Sequence, residues 1–280
     1  EVIEIGRAAG VAAKIAHLKA PCLQNSGKTT QIIDLIQEQR RSGYNLVSDQ
    51  YPYDGAKTDF LADILILPQS VKTKKIDIKA ALADPKLRAE IQALSEQGVD
   101  GGFAWLKVAG YRCIRITNSE DYPHLVGRYL SQIAELNNTS GFDVVTDLLL
   151  NAKHSIRATM GGIVENDVRH LLVQPRNMVI SDGSYVASGT SPNQHPRSTG
   201  TFARVLGHYA RELGLLSLED AVQKMTSKPA DFFGFRDRGR ISVGGLADIT
   251  VFDPVLVTDR STWDSPLLYA EGIRYVVVNG

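Results

Sequence analysis

Isoleucines at positions 32, 33 and 36 share one face at helical spacing, in a segment that is otherwise polar. They predict a helix over 27–41, ended by Gly43. Around it the chain alternates. A helix over 1–9 passes through Gly10 to a strand over 11–17, and a strand over 45–50 follows the 27–41 helix. This alternation predicts an α/β fold, a parallel sheet with covering helices. An insertion over about 54–140 interrupts it, with helices near 77–81, 85–97 and 127–137 and a strand near 112–116. A helix over 141–151, a strand over 154–160, a helix over 164–174 and a strand over 177–181 come next. The last of these stops at Asp182-Gly183, and a polar, turn-rich stretch runs to Thr199. Helices over 201–213 and 217–227 lead to short β segments at 239–242, 247–252 and 272–278, with a boundary near 234. The expected domains are therefore 1–234 and 235–280.

The chain has 280 residues, 43% hydrophobic and 22% charged, with 31 basic and 31 acidic side chains. That balance gives no electrostatic reason to expect a nucleic acid or an acidic membrane as partner. No apolar run approaches a membrane span and no signal peptide opens the chain, so a cytoplasmic protein is expected. Two cysteines, Cys22 and Cys113, make no disulfide framework. Glu1 opens the chain already in helical rhythm. The last residues, Val276-Val277-Val278-Asn279-Gly280, form a strand and the start of a hairpin turn, which reads as a fragment of a longer protein.

The stretch Asn25-Ser26-Gly27-Lys28-Thr29-Thr30 has the ending of a phosphate-binding loop. The first glycine of that motif falls on Cys22, preceded by Pro21, which lacks an amide donor. A helix start capped by Ser26 fits these residues better.

The candidate chemistry lies at strand ends, where α/β folds gather their sites. Asp182 follows an apolar strand. It is open to two readings, a carboxylate that binds metal and takes a proton from water, and a turn-forming Asp-Gly. His17 is a zinc-type imidazole or a hydrogen-bonded core residue. Arg197, in the His195-Pro196-Arg197 loop, is a bidentate carboxylate clamp or an exposed basic residue. Lys19 is a second cation or a solvated lysine. Tyr51 and Tyr53 line a pocket or pack. His124, His154, His170 and His208 show no ligand spacing and are read as structural.

The run from Ile180 to Pro254, with "ISDGSYVASGTSPNQHPRSTG" at its head and "GGLADITVFDP" at its tail, resembles the N-acyl-D-amino-acid deacylases (D-aminoacylases) of the amidohydrolase superfamily. "IAHLKA" and "DQYPY" are similar to that family's fifth and sixth strand ends. The resemblance implies the C-terminal half of a zinc-dependent (β/α)8 TIM-type barrel plus part of a small flanking β-sandwich. It implies His17 as the strand-five zinc ligand, Asp182 as the metal-site aspartate that shuttles the proton, and Arg197 as the holder of the substrate α-carboxylate. Lys19 and Tyr51 join Arg197 as expected substrate contacts. The implied cofactor is zinc, one or two ions, and the implied partner is a small N-acylated D-amino acid, hydrolysed at its amide. Some family members carry a histidine ligand where this chain has Tyr51. The family's His-x-His pair is absent and is expected upstream of Glu1. Two alternatives stand beside this reading: a cyclic-amide hydrolase of the dihydroorotase or hydantoinase kind, and a non-catalytic scaffold, for which Tyr51 is the one supporting feature.

Overall fold

The computed structural model describes residues 1–100, 102–186 and 195–280. Part of the polar stretch after Gly183 therefore lies outside the described residues. Among the described residues the strands are β1 (Ala13–Ile15), β2 (Leu46–Gln50), β3 (Gly55–Phe60), β4 (Ile114–Asn118), β5 (Arg157–Gly162), β6 (Asn177–Val179), β7 (Ile249–Phe252) and β8 (Ile273–Val277). The chain divides into two units, one of residues 1–20, 27–54 and 165–280, the other of residues 21–26 and 55–164. The content is mixed α/β, as the alternation predicts.

In the first unit β1, β2 and β6 form a parallel sheet in that order, with Ala13 beside Leu46 and Ser48 beside Asn177. Their C-terminal ends therefore share one edge. Every residue of β2 is buried, as expected of a central parallel strand covered on both faces. Its polar residues are paired internally. Ser48 Oγ donates to Asn177 Oδ1 at 2.8 Å, Asn177 Nδ2 donates to Gln50 Oε1 at 2.8 Å, and Gln50 Nε2 donates to the Val168 carbonyl at 3.0 Å. Such closure removes the cost of burying amides. Ile3, Ile32 and Ile36 pack with Ala13, Ile15 and Leu46.

The helix of the phosphate-loop-like segment runs Thr29–Arg41, with Lys28 at its N-cap. The expected Ser26 cap is replaced. Asp167, buried on the helix Glu165–Leu172, accepts the Gly27 N–H at 3.1 Å and the Thr29 hydroxyl at 2.7 Å. Thr29 Oγ1 also lies 3.1 Å from His170 Nδ1. The positive end of this helix is thus met by a carboxylate of the protein itself, the place a phosphate takes in a true phosphate loop.

Arg197, expected in a loop, is instead the first residue of a helix, Arg197–Arg204, with Pro196 at its N-cap. The helix continues as a π-helical segment over Val205–Glu212. Two glycines allow its close packing. A Cβ at Gly200 would lie 2.1 Å from the Tyr53 hydroxyl, and one at Gly207 would lie 2.4 Å from the Val257 carbonyl. The expected β segment over 239–242 does not form: the backbone there is irregular, with Arg240 bonded to Asp231 at 2.6 Å and Arg238 to Asp248 at 2.8 Å. Strands β7 and β8 pair antiparallel.

The second unit is an antiparallel sheet in the order β3-β5-β4, with Lys57 beside Met160 and Ile114 also beside Met160. Its core includes Leu61, Leu82, Ile91, Ile114, Phe142 and Met160. The helices Ile78–Ala83 and Pro85–Gln97 start on Asp77 and Asp84, whose carboxylates accept the first free amides. The helix Gly141–Asn151 starts likewise on Ser140. Both cysteines are buried and free in this unit. Cys113 closes a 3-10 turn just before β4 rather than lying within the strand. Burial pushes the Cys22 thiol up to about 11, which keeps it protonated and unreactive.

Candidate active site

Three chain segments reach the C-terminal edge of the parallel sheet. After β1 come His17 and Lys19, after β2 come Tyr51 and Tyr53, and after β6 comes Asp182. His17 and Asp182 are both non-glycine residues with positive φ, 39° and 46°. Such residues are uncommon, and the strain is held by surrounding contacts. For His17 the contact is clear. Its backbone N–H donates to the carboxylate of Asp49 on β2, and Lys14 on β1 pairs with the same carboxylate. Asp49 is fully buried. Sequence reasoning passed over it in favour of the tyrosines that follow. Its signal was a charged residue inside an otherwise buried strand.

Asp182 is paired with Arg197, Nη1 to Oδ2 at 2.9 Å. Arg197 is 7% exposed, and neither its Nε nor its Nη1 makes a hydrogen bond among the described residues, so the contact to Asp182 is an ion pair. Its Nε is therefore a donor that a carboxylate could use. The Arg197 guanidinium also lies over the Tyr51 ring, 4.4 Å from its centroid, and the Lys19 ammonium lies 5.1 Å from the same centroid. Tyr51 is buried, and burial pushes its phenol well above the ordinary tyrosine range. Burial pushes the Lys19 ammonium down to about 8, against the opposing attraction of Asp182 and Asp49. The structure thus brings Lys19, Tyr51, Asp182 and Arg197 together. His17 stands at the same sheet edge on an exposed turn.

Behind Arg197 lies an aromatic and polar wall. His195 is fully buried, its ring set among Tyr51 (5.7 Å), Tyr53 (5.9 Å) and Trp263 (4.5 Å). Its Nδ1 accepts the Arg197 backbone N–H at 3.2 Å. Of this wall the tyrosines were expected to line a pocket or pack; Trp263 was not, because it lies 66 residues beyond Arg197 in the chain.

An imidazole and a carboxylate are zinc-type donors. Among the described residues no group of three or more histidine, cysteine or acidic side chains gathers as a metal cluster. His17 and Asp182 are donors of that type, and two such donors do not by themselves complete a zinc shell.

Residues 106–280 match the model of the Amidohydrolase family. The chain belongs to the amidohydrolase family. It is 35% identical over its whole length to an N-acyl-D-glutamate deacylase of Alcaligenes xylosoxydans xylosoxydans, of which it covers 47%. It is 34% identical to a D-aminoacylase of the same organism, again covering 47%. Among solved structures it is similar to the N-acyl-D-glutamate deacylase from Bordetella bronchiseptica complexed with zinc and a phosphonate mimic of the tetrahedral intermediate. That likeness has a TM-score of 0.71 and 32% identity, and it covers all of this chain and 48% of the other. The chain spans about half the length of the curated relatives it matches. Among the described residues no helix is long and apolar enough to cross a membrane.

Proposed function

We propose that this chain supplies the substrate-carboxylate pocket and part of the metal site of a zinc-dependent N-acyl-D-amino-acid deacylase. The observation that carries the reading is the buried Arg197 guanidinium, ion-paired with Asp182 through Nη1, its Nε without a hydrogen-bond partner among the described residues, over the same Tyr51 ring as the Lys19 ammonium. Two cations around one buried phenol form a pocket for an anion. A hydrolytic carboxylate stands next to it.

In this reading the α-carboxylate of the substrate seats on Arg197 and Lys19, with the Tyr51 ring as floor. That anchor fixes the Cα, so the D and L isomers turn different groups toward Asp182. The Asp182 carboxylate accepts a proton from the hydrolytic water and passes it to the departing amine nitrogen. His17 and Asp182 would hold zinc, whose chemistry is to acidify water and polarise the acyl carbonyl. The further donors of that shell lie beyond the described cluster. The architecture proposed with it is the second half of a (β/α)8 barrel, supported by the three parallel strands in chain order, with 235–280 contributing to a flanking β-sandwich.

The test is turnover and metal content of the complete enzyme. Release of amine from N-acetyl-D-amino acids, little from the L isomers, and zinc copurifying near one equivalent or more support the reading. Turnover of a hydantoin or dihydroorotate in preference would move it to the cyclic-amide hydrolases. Absence of both zinc and turnover would leave a non-catalytic scaffold.

A further inference from the structure

We infer that Ser261 and Tyr53 are positioning residues that set the Arg197 guanidinium for substrate, acting through the backbone of His195 and Pro196. The inference rests on the reading of Arg197 as the carboxylate anchor.

Arg197 opens its helix, so its placement depends on how residues 195–196 are fixed. The Pro196 carbonyl accepts three donors. Two are the Thr199 N–H at 3.4 Å and the Gly200 N–H at 3.0 Å, within the helix itself. The third is Ser261 Oγ at 2.9 Å, from a segment about sixty residues away. Ser261 is 4% exposed and lies 3.4 Å from the Tyr53 hydroxyl. Tyr53 in turn donates to Asp259 Oδ2 at 3.1 Å, and Arg204 pairs with that same oxygen at 3.2 Å. Arg204 also lies over the Tyr53 ring, 5.0 Å from its centroid. On the other side, Trp263 packs on the His195 ring, and its indole N–H is held by Asp54. Gly200 is the residue that lets this wall close, since a Cβ there would lie 2.1 Å from Tyr53 Oη and 2.3 Å from Ser261 Oγ.

These groups grip the turn that precedes Arg197, from the strand end after β2 and from the 259–263 segment. A grip of this kind keeps a long cationic side chain at one angle, and orientation of a bidentate donor governs how well a carboxylate seats. The same residues would serve only packing if Arg197 kept its angle without them, and that difference can be measured.

The test compares two substrates in the complete enzyme: an N-acyl-D-amino acid, and the matching N-acyl amine with no carboxylate. Ser261→Ala is expected to raise KM for the acid roughly fivefold, the order of one lost hydrogen bond, with kcat within twofold. Its kcat/KM on the amine is expected to stay as in the parent. Tyr53→Phe is expected to give a smaller shift of the same kind, and it serves if the Ser261 variant does not fold. Equal loss on both substrates, or no change in KM in either variant, overturns the inference. Arg197→Ala in parallel separates the two levels. If it raises KM for the acid while neither wall variant does, the positioning role fails and the anchor stands. If it leaves KM unchanged, the anchor fails and the positioning role falls with it.

Discussion

Arg197 Nη1 and Asp182 Oδ2 lie 2.9 Å apart, so the proposed substrate anchor and the proposed proton carrier are ion-paired with each other. One residue stands past β6, the other at the head of the following helix. A carboxylate substrate that seats on this guanidinium is placed beside Asp182 by the same ion pair.

Replacing Arg197 therefore removes binding and alignment together. In the complete enzyme, Arg197→Ala is expected to raise KM for N-acyl-D-amino acids by about tenfold or more, the scale of a charged hydrogen bond. Arg197→Lys is expected not to restore it, because a point charge cannot span Asp182 and a substrate carboxylate at once. Steady-state kinetics on the two variants check this.

Asp182→Asn keeps the size and most hydrogen bonding of the side chain and removes its basicity. Turnover is expected to fall by about 10²–10⁴-fold, the usual share of general acid–base catalysis. Zinc content is expected to stay near the parent value. Near-parent turnover would remove Asp182 from the chemistry, and metal analysis beside kinetics reads both.

Lys19 sets an alkaline limit. Its ammonium is lowered to about 8 by burial. Below that pH it is charged and helps hold a carboxylate, and above it the neutral amine does not. The kcat/KM for acid substrates is expected to decline as pH rises through about 8. A bound carboxylate favours the charged form, so the decline in kcat is expected at higher pH. Lys19→Met is expected to flatten that limb, and pH profiles of the two proteins decide it.

Asp167 is expected to matter for stability alone. Asp167→Ala strips the carboxylate from the Gly27 amide and the Thr29 hydroxyl, at a cost of about 1–2 kcal/mol. Denaturant unfolding measures the loss. ATP is expected to give no thermal shift in either protein, since the helix start is spoken for in one and lacks the cradle glycine in both.

Lys224 is a second buried amine, 1% exposed, donating to the carbonyls of Gln174 and Asn177. Lys224→Met fills the same space and leaves both carbonyls short of a donor. The expected destabilisation is about 1–3 kcal/mol, with KM unchanged. Chemical denaturation and kinetics together distinguish it from a site residue.

The local elements were legible in the sequence where local rules set them. The helices Pro85–Gln97 and Gly141–Asn151 begin and end as expected, because their caps, Asp84 and Ser140, lie next to them in the chain. Ser26 was misread as a cap because the true partner, Asp167, lies some 140 residues away. The β segment expected over 239–242 does not form; Arg238 and Arg240 bond instead to Asp248 and Asp231, eight or more residues away in the chain.

For the site, the sequence by itself determined which residue types stand at the strand ends: His17, Lys19, Tyr51 and Asp182, each placed by the alternation of strand and helix. It also held the Arg197 motif and the likeness to the deacylases. Only the tertiary structure decided that Arg197 opens a helix, that its Nη1 belongs to Asp182, and that Tyr51 lies against both cations. It alone brought Asp49 under His17 and Ser261 under Pro196. Secondary structure follows from neighbours in the chain. A buried charge or hydroxyl takes whichever partner the packed fold brings within about 3 Å, and sequence distance carries no record of that choice.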